Sequence, residues 1–330
     1  MKRLMTAAAV IVFTVAMSVG AVDVSAQEKV NPLPWKKMPG AATDIGVGGG
    51  QVWVLGRKKM NYGFPVFRWN GKSWDNMKGQ AVRIDVGPKG LAWVVNSKQD
   101  IFRHDGSRWI KMPGKAHDIG VGANGVVWVI GTNKEGGGYG IYRLRKDRWE
   151  KMPGSAVRID VGPRGLAWVV NNKRDIFRFD GKKWVRVPGK ARDIGVGGTT
   201  KAASVWIADT ARDKNGGHVR RWDGKRWVRF AGQIVNVSAD SKGAPFGTTN
   251  AGGVWAHARA AAWTPKPLAN PKAEKITMWQ GRLDRVKKAM SDNRKQATDM
   301  QAKLKTLNTS YGKMKGQLAA ATKALAGLKK

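Results

Sequence analysis

The sequence predicts an all-β fold, a six-bladed β-propeller of four-stranded blades, followed by a long C-terminal α-helical coiled coil. Three observations predict it. A Trp-flanked segment recurs six times at steps of 35 to 43 residues. Inside each copy, short runs alternate apolar and polar residues with period 2, separated by Asp-Gly or Gly-rich turns. Past a cluster of prolines the period changes to 3.5 and holds to the end of the chain.

Residues 1–26 read as an export signal: Lys2 and Arg3 open it, Met5 to Gly20 is apolar, and Val24-Ser25-Ala26 is a small-residue cleavage site. The expectation is a secreted or periplasmic protein, cleaved after Ala26, with a linker over 27–34. The repeats fill 35–268. They begin at Trp35-Lys-Lys-Met-Pro-Gly and continue at Trp74, Trp109, Trp149, Trp184 and Trp227, with a partial seventh copy at Trp263. Periods near 40 residues suit a four-stranded blade. Each unit reads as an inner strand (Asp44-Ile-Gly-Val), a second strand (Val52-Trp53-Val54-Leu55), a third (Ile101-Phe102-Arg103 in unit two) and a closing Trp strand. Asp105-Gly106, Asp180-Gly181 and Asp223-Gly224 are hairpin turns. Closing the ring removes sheet edges.

Units alternate. One, three and five carry Asp-Ile-Gly-Val-Gly; two and four carry Arg-Ile-Asp-Val-Gly-Pro; six has Asn236-Val-Ser-Ala. The true repeat is a double one of about 75 residues, which makes the ring pseudo-threefold. One inner position reads Asp44, Arg83, Asp118, Arg158, Asp193, Asn236 around the ring. The expectation there is a structural set of inter-blade ion pairs near the axis, with an axial ligand site as the other reading.

These motifs resemble the tectonin β-propeller repeat family from Trp35 to about Trp263. The resemblance implies a six-bladed ring and lectin activity toward bacterial surface glycans such as lipopolysaccharide; other members are protein-binding modules. Unit six departs from the pattern, with Phe246 in place of the second-strand Trp and Ala231 in place of Pro.

Recurrent Trp53, Trp93, Trp128, Trp168 and Trp206 are expected to pack between blades. Loop residues make better contacts. Asn96, Lys98, Asn171 and Lys173 follow the second strand of the even units and are the candidate ligand contacts. An Arg recurs before the closing Trp (Arg68, Arg103, Arg143, Arg178, Arg221), either pinning a carboxylate or presenting positive charge.

Catalytic and cofactor signals are absent. Without cysteine there is no disulfide, thiolate metal site or Cys nucleophile. The four histidines hold unrelated repeat positions, and the Gly-rich strings precede no helix. The expectation is a binding protein, not an enzyme, with no cofactor and no metal. Lys and Arg total 60 against 23 Asp and Glu, a net charge of +37, which attracts polyanions. Export and the lack of a nucleic-acid motif argue against nucleic acid as the natural partner.

Pro265, Pro267 and Pro271 mark a linker over 269–275, and a basic coiled-coil helix is expected over 276–330. Its seam runs through Leu283, Val286, Met290, Asn293, Met300, Leu304, Leu307, Tyr311 and Leu318 without a break. Basic residues flank it. The expectation is self-association, with an acidic partner helix or an anionic membrane surface as the other reading and no transmembrane span. Together these features predict a multivalent lectin for anionic surface glycans. The alternative is a structural or assembly protein of the cell envelope that docks through its propeller and basic helix.

Overall fold

The computed structural model describes residues 28–261 and 271–327. The signal segment, Trp263, Pro265 and Pro267 lie outside them.

The alternating, β-branched runs form curled antiparallel sheets, each a simple meander. Asp44–Gly48, Gln51–Leu55, Phe64–Trp69 and Trp74–Ala81 make the first sheet. The pattern repeats from Arg83–Val86 to Trp109–Lys115, and from Asp118–Val121 to Arg148–Ala156. The next two meanders share the 15-residue strand Trp184–Gly198: it closes one and opens the other, merging them into a seven-stranded sheet. The last sheet, Asn236–Ala239, Pro245–Thr248 and Gly253–His257, takes its outer strand from the chain's beginning: Trp35–Ala41 pairs antiparallel with Gly253–His257. The opening strands touch one another in turn, and Asn236–Ala239 returns to Asp44–Gly48. The arrangement is a propeller-like ring.

The apolar cores lie between neighbouring sheets. Trp53, Leu55 and Val66 of the first pack on Ile84, Val86 and Val94 of the second, and the same layering recurs around the ring. Fully burying each Val or Ile contributes about 1.5–3 kcal/mol.

At the rim, the glycine of the repeat, preceded by Pro in four outer strands and by Lys78 or Ala231 in the other two, makes a bulge where register shifts against the partner strand. The bulge turns a carbonyl outward, and the next unit's Trp donates its indole N–H to it. Trp74 reaches Pro39 O at 2.8 Å, Trp149 Pro113 O at 2.7 Å, and Trp184 Pro153 O at 2.6 Å. Trp109 and Trp227 do the same to Met77 and Pro188. Trp35 to Ala231 O, at 2.7 Å, joins residues 196 apart and closes the circle. Glycine is required beside that last bond: Gly232 has φ +116°, and a Cβ there would lie 2.5 Å from the Trp35 Nε1.

Two expected boundaries move. Residues 28–34 are not a free linker. Asn31 bridges Phe230, and Glu28 ion-pairs with Arg220, because the outer strand Trp227–Ile234 is an edge with unpaired backbone groups. The long helix spans Pro271–Gly327, so residues 271–275 belong to it; proline is tolerated in a first turn, whose N–H groups have no partner anyway. At 1.5 Å per residue the helix is about 85 Å long.

Candidate functional site

The opening strands carry the polar groups of the axis. Arg83 lies 3.9 Å from Asp44 and 3.6 Å from Asp118, and Arg158 lies 3.4 Å from Asp193. Asn236 stands in the third arginine position and instead accepts a hydrogen bond from Thr248 Oγ1 at 3.1 Å.

These carboxylates also reach the neighbouring backbone. Asp44 accepts from Ile84 N–H at 3.2 Å, Asp118 from Ile159 N–H at 2.9 Å, and Asp193 from Val237 N–H at 2.8 Å. The other three junctions use residues that sequence reasoning passed over. Asp85 accepts from Val121 N–H at 2.5 Å, Asp160 from Val196 N–H at 2.6 Å, and Ser238 Oγ from Val47 N–H at 3.0 Å. Every junction between opening strands is thus bridged by a side chain. The sequence signal was present as Asp, Asp and Ser two residues after Arg83, Arg158 and Asn236, facing Gly46, Gly120 and Gly195. Glycine is needed there for close approach: a Cβ on Gly120 would sit 2.9 Å from the Asp160 Cα.

Five buried aspartates therefore meet two arginines at the axis. Burial pushes the Asp44 carboxyl up to about 7 and that of Asp193 to about 6, against the pull of the arginines. Burial also raises Asp118, Asp85 and Asp160; the Asp85 carboxylate adds to the effect on Asp160. The axial cavity is about 30 Å³, room for a water or two and too small for a sugar ring.

The larger spaces lie between sheets near the rim. One recess of about 400 Å³ is lined by Tyr62 and Gln80 of the first sheet and by Asn96, Lys98, Phe102 and Trp109 of the second. Lys98 Nζ sits 4.8 Å from the centre of the Tyr62 ring. The corresponding recess at the ring's closure is about 500 Å³. It is lined by Asn215, Gln233, Thr249, Trp255 and Trp35. One backbone contact recurs beside each: Ser97 N–H to Tyr62 O at 2.9 Å and Asn250 N–H to Asn215 O at 3.0 Å. Asn172 N–H to Gly137 O, at 2.9 Å, marks the third position, beside Lys173. Each of the two recesses joins aromatic rings, Phe102 and Trp109 with Tyr62 in one and Trp255 and Trp35 in the other, to amide and hydroxyl groups. Such a surface stacks on an apolar sugar face and hydrogen-bonds its hydroxyls.

Asn96 and Asn171, expected as ligand donors, are used in folding their turns. Each carboxamide oxygen accepts two backbone N–H bonds, Asn96 from Lys98 and Asp100 and Asn171 from Lys173 and Asp175, all at 2.9 Å. The spacing Asn-x-x-x-Asp carried that turn signal. Lys115 and Lys111 bond Asp100 and hold its carboxyl well below the usual range; Lys190 and Arg186 do the same to Asp175. Lys98 and Lys173 keep their ammonium groups at the surface.

Trp53, Trp128 and Trp206 are buried, each donating to a glycine carbonyl of the next sheet, whereas Trp93 and Trp168 are half-buried. Arg68 and Arg143 pair with the acids directly across the strands, Asp75 and Glu150. On the long helix, Leu283, Val286, Met290, Met300, Leu304, Leu307, Tyr311 and Leu318 are more than half exposed, and Asn293 lies among them in sequence. Among the described residues, no His, Asp and Glu cluster could hold a metal, and no helix is long and apolar enough to cross a membrane.

A closed ring of short-stranded sheets, each joined to the next by its repeat's own Trp, defines a repeat-built propeller-like protein. The Tectonin domain family model matches residues 81–165 and 129–289, and the chain belongs to the tectonin family. It is 30% identical to Tectonin-2 of Physarum polycephalum over 70 residues, 21% of this chain and 19% of that protein. It is also 30% identical to Tectonin-1 of the same organism over 67 residues, 20% of this chain and 30% of that one. The alignments thus span less than a third of either relative. Similar solved structures include YCF48 from Cyanidioschyzon merolae (TM-score 0.43, 14% identity, 68% of this chain and 98% of that one). Another is the calcium-binding protein regucalcin from Agrobacterium tumefaciens (TM-score 0.49, 14% identity, 70% and 96%).

Proposed function

We propose that the protein is a secreted or periplasmic carbohydrate-binding protein, a six-bladed propeller of four-stranded blades whose inter-blade recesses take sugar rings. The observation that carries this reading is the repeated pairing of aromatic rings with amide and hydroxyl groups, at corresponding places in a pseudo-threefold ring. The +37 charge, with Lys98 and Lys173 beside the recess positions, favours anionic surface glycans such as lipopolysaccharide. The long helix gathers several copies as a coiled coil, so that weak single sites act together, multiplying affinity by about 10²–10⁴.

A glycan array at physiological salt tests the binding. The expected result is glycan-selective retention that Tyr62→Ala and Trp255→Ala each weaken about tenfold, the scale of one lost stacking contact. Retention of all polyanions alike, falling together as salt rises, would overturn it. Light scattering on the full chain and on residues 27–270 tests the gathering; two monomers would remove it.

One observation favours a second reading, an envelope assembly protein. The helix exposes a long apolar seam, and from Lys303 onward the chain holds no acid. One stoichiometric protein partner recovered from native envelope, with no glycan retained, would select it.

A further inference from the structure

A cavity of about 560 Å³ lies where the ring closes, separate from the two recesses. The N-terminal Pro32 and Leu33 wall one side, the turn 240–245 another, and the short helix Ala258–Ala261 a third. Among the described residues, this junction alone is walled by segments from outside the repeats, the one before Trp35 and the one after His257. Arg221, Arg259, Lys242 and the half-buried His257 line it.

Arg221 is the informative residue. Its guanidinium lies 5.6 Å from the centre of the Trp206 ring and 5.4 Å from that of Phe230. In units one and three the arginine of this position faces an acid directly across the strands: Arg68 opposite Asp75 and Arg143 opposite Glu150. In unit five the facing residue is Val228. Among the described residues, no carboxylate ion-pairs with Arg221, Arg259 or Lys242. The acid lining the cavity, Asp240, has one carboxylate oxygen engaged in its turn, accepting from Lys242 N–H and Ala244 N–H at 2.8 Å each. Stacking fixes an arginine's plane and leaves its N–H edges free for a bidentate oxyanion.

We propose that this cavity is an anion site for a sugar-sized ligand bearing a phosphate or carboxylate group, with Arg221 as the stacked anchor and Arg259 and Lys242 beside it. Its volume falls within the range of small-molecule sites. The site does not depend on the recesses, and it separates charge recognition from any stacking there.

Calorimetric titration of the mature chain at physiological salt tests it, with glucose 6-phosphate, glucuronate and glucose as probes. At least one anionic sugar is expected to bind tenfold or more tightly than glucose. Arg221→Gln and Arg259→Gln should each lower that affinity about tenfold. Val228→Glu supplies the acid that units one and three have, and should abolish anion binding while leaving the thermal midpoint unchanged or higher. Arg178→Gln, an exposed arginine of the same repeat position opposite Val185 and away from the cavity, should change nothing. The proposal is overturned if neither anion outbinds glucose, or if Arg178→Gln costs as much as Arg221→Gln. It is equally overturned if Val228→Glu folds and still binds the anion.

Discussion

The axis and the rim of the ring face the same task, joining each sheet to the next, and use opposite chemistry. At the axis the free groups of the opening strands are N–H donors, so the joining side chains are acceptors: Asp44, Asp85, Asp118, Asp160, Asp193 and Ser238. At the rim the glycine bulge frees carbonyls, so the joining side chains are donors, the indoles of the repeat. The difference lies in what surrounds them. Indole carries no charge and costs little to bury. Carboxylates at the axis need arginine, and two arginines serve five acids. The axis should therefore be sensitive to charge and pH, and the rim only to the loss of single bonds.

The largest effect should come from Arg83→Met, which leaves Asp44 and Asp118 without their counter-charge. It should cost about 3–5 kcal/mol in urea unfolding at pH 7.5; a cost no larger than that of a surface arginine would break the comparison. Next is pH itself. The folded carboxyls of Asp44 and Asp193 titrate at about 7 and 6, above the value of an unfolded aspartate. A raised folded pKa gives stability that is fully present below the unfolded pKa and is lost as pH rises through the folded one. The unfolding free energy from urea titration should fall between pH 5 and 8 by on the order of 3 kcal/mol, and Asp44→Asn should flatten that slope. Gly120→Ala, which forces a Cβ toward the Asp160 backbone, should cost about 1–3 kcal/mol. The smallest effect belongs to the rim. Trp35→Phe loses one neutral hydrogen bond and should cost about 1 kcal/mol, independent of pH from 5 to 8; a pH-dependent loss would contradict the division between axis and rim.

Much of this was legible in the sequence. The Trp-flanked repeat placed the strands, because period-2 alternation and turn dipeptides are local signals. The alternation of Asp44, Arg83, Asp118, Arg158 and Asp193 pointed at neighbouring charges. Asp85 and Asp160 were missed because their partners are backbone N–H groups of another unit, which no residue type reveals. Asn96 and Asn171 are candidate contacts by their place after the second strand, but the aspartate four residues on marks a turn that uses the carboxamide oxygen. The recesses could not be read at all: Tyr62 and Trp109 belong to different sheets, and only ring closure sets them on one cavity. Asn31, within the expected linker, bonds the last outer strand through both its backbone and its side-chain amide, a partner about two hundred residues away that no local pattern reveals.

The last sheet borrows its outer strand from residues 35–41, and this sets the order of events during biogenesis. A chain that emerges N-terminus first holds that strand idle until Gly253–His257 arrives more than two hundred residues later. Until then the ring is an open horseshoe with two bare edges, so a nascent or truncated chain is exposed to strand exchange with its neighbours.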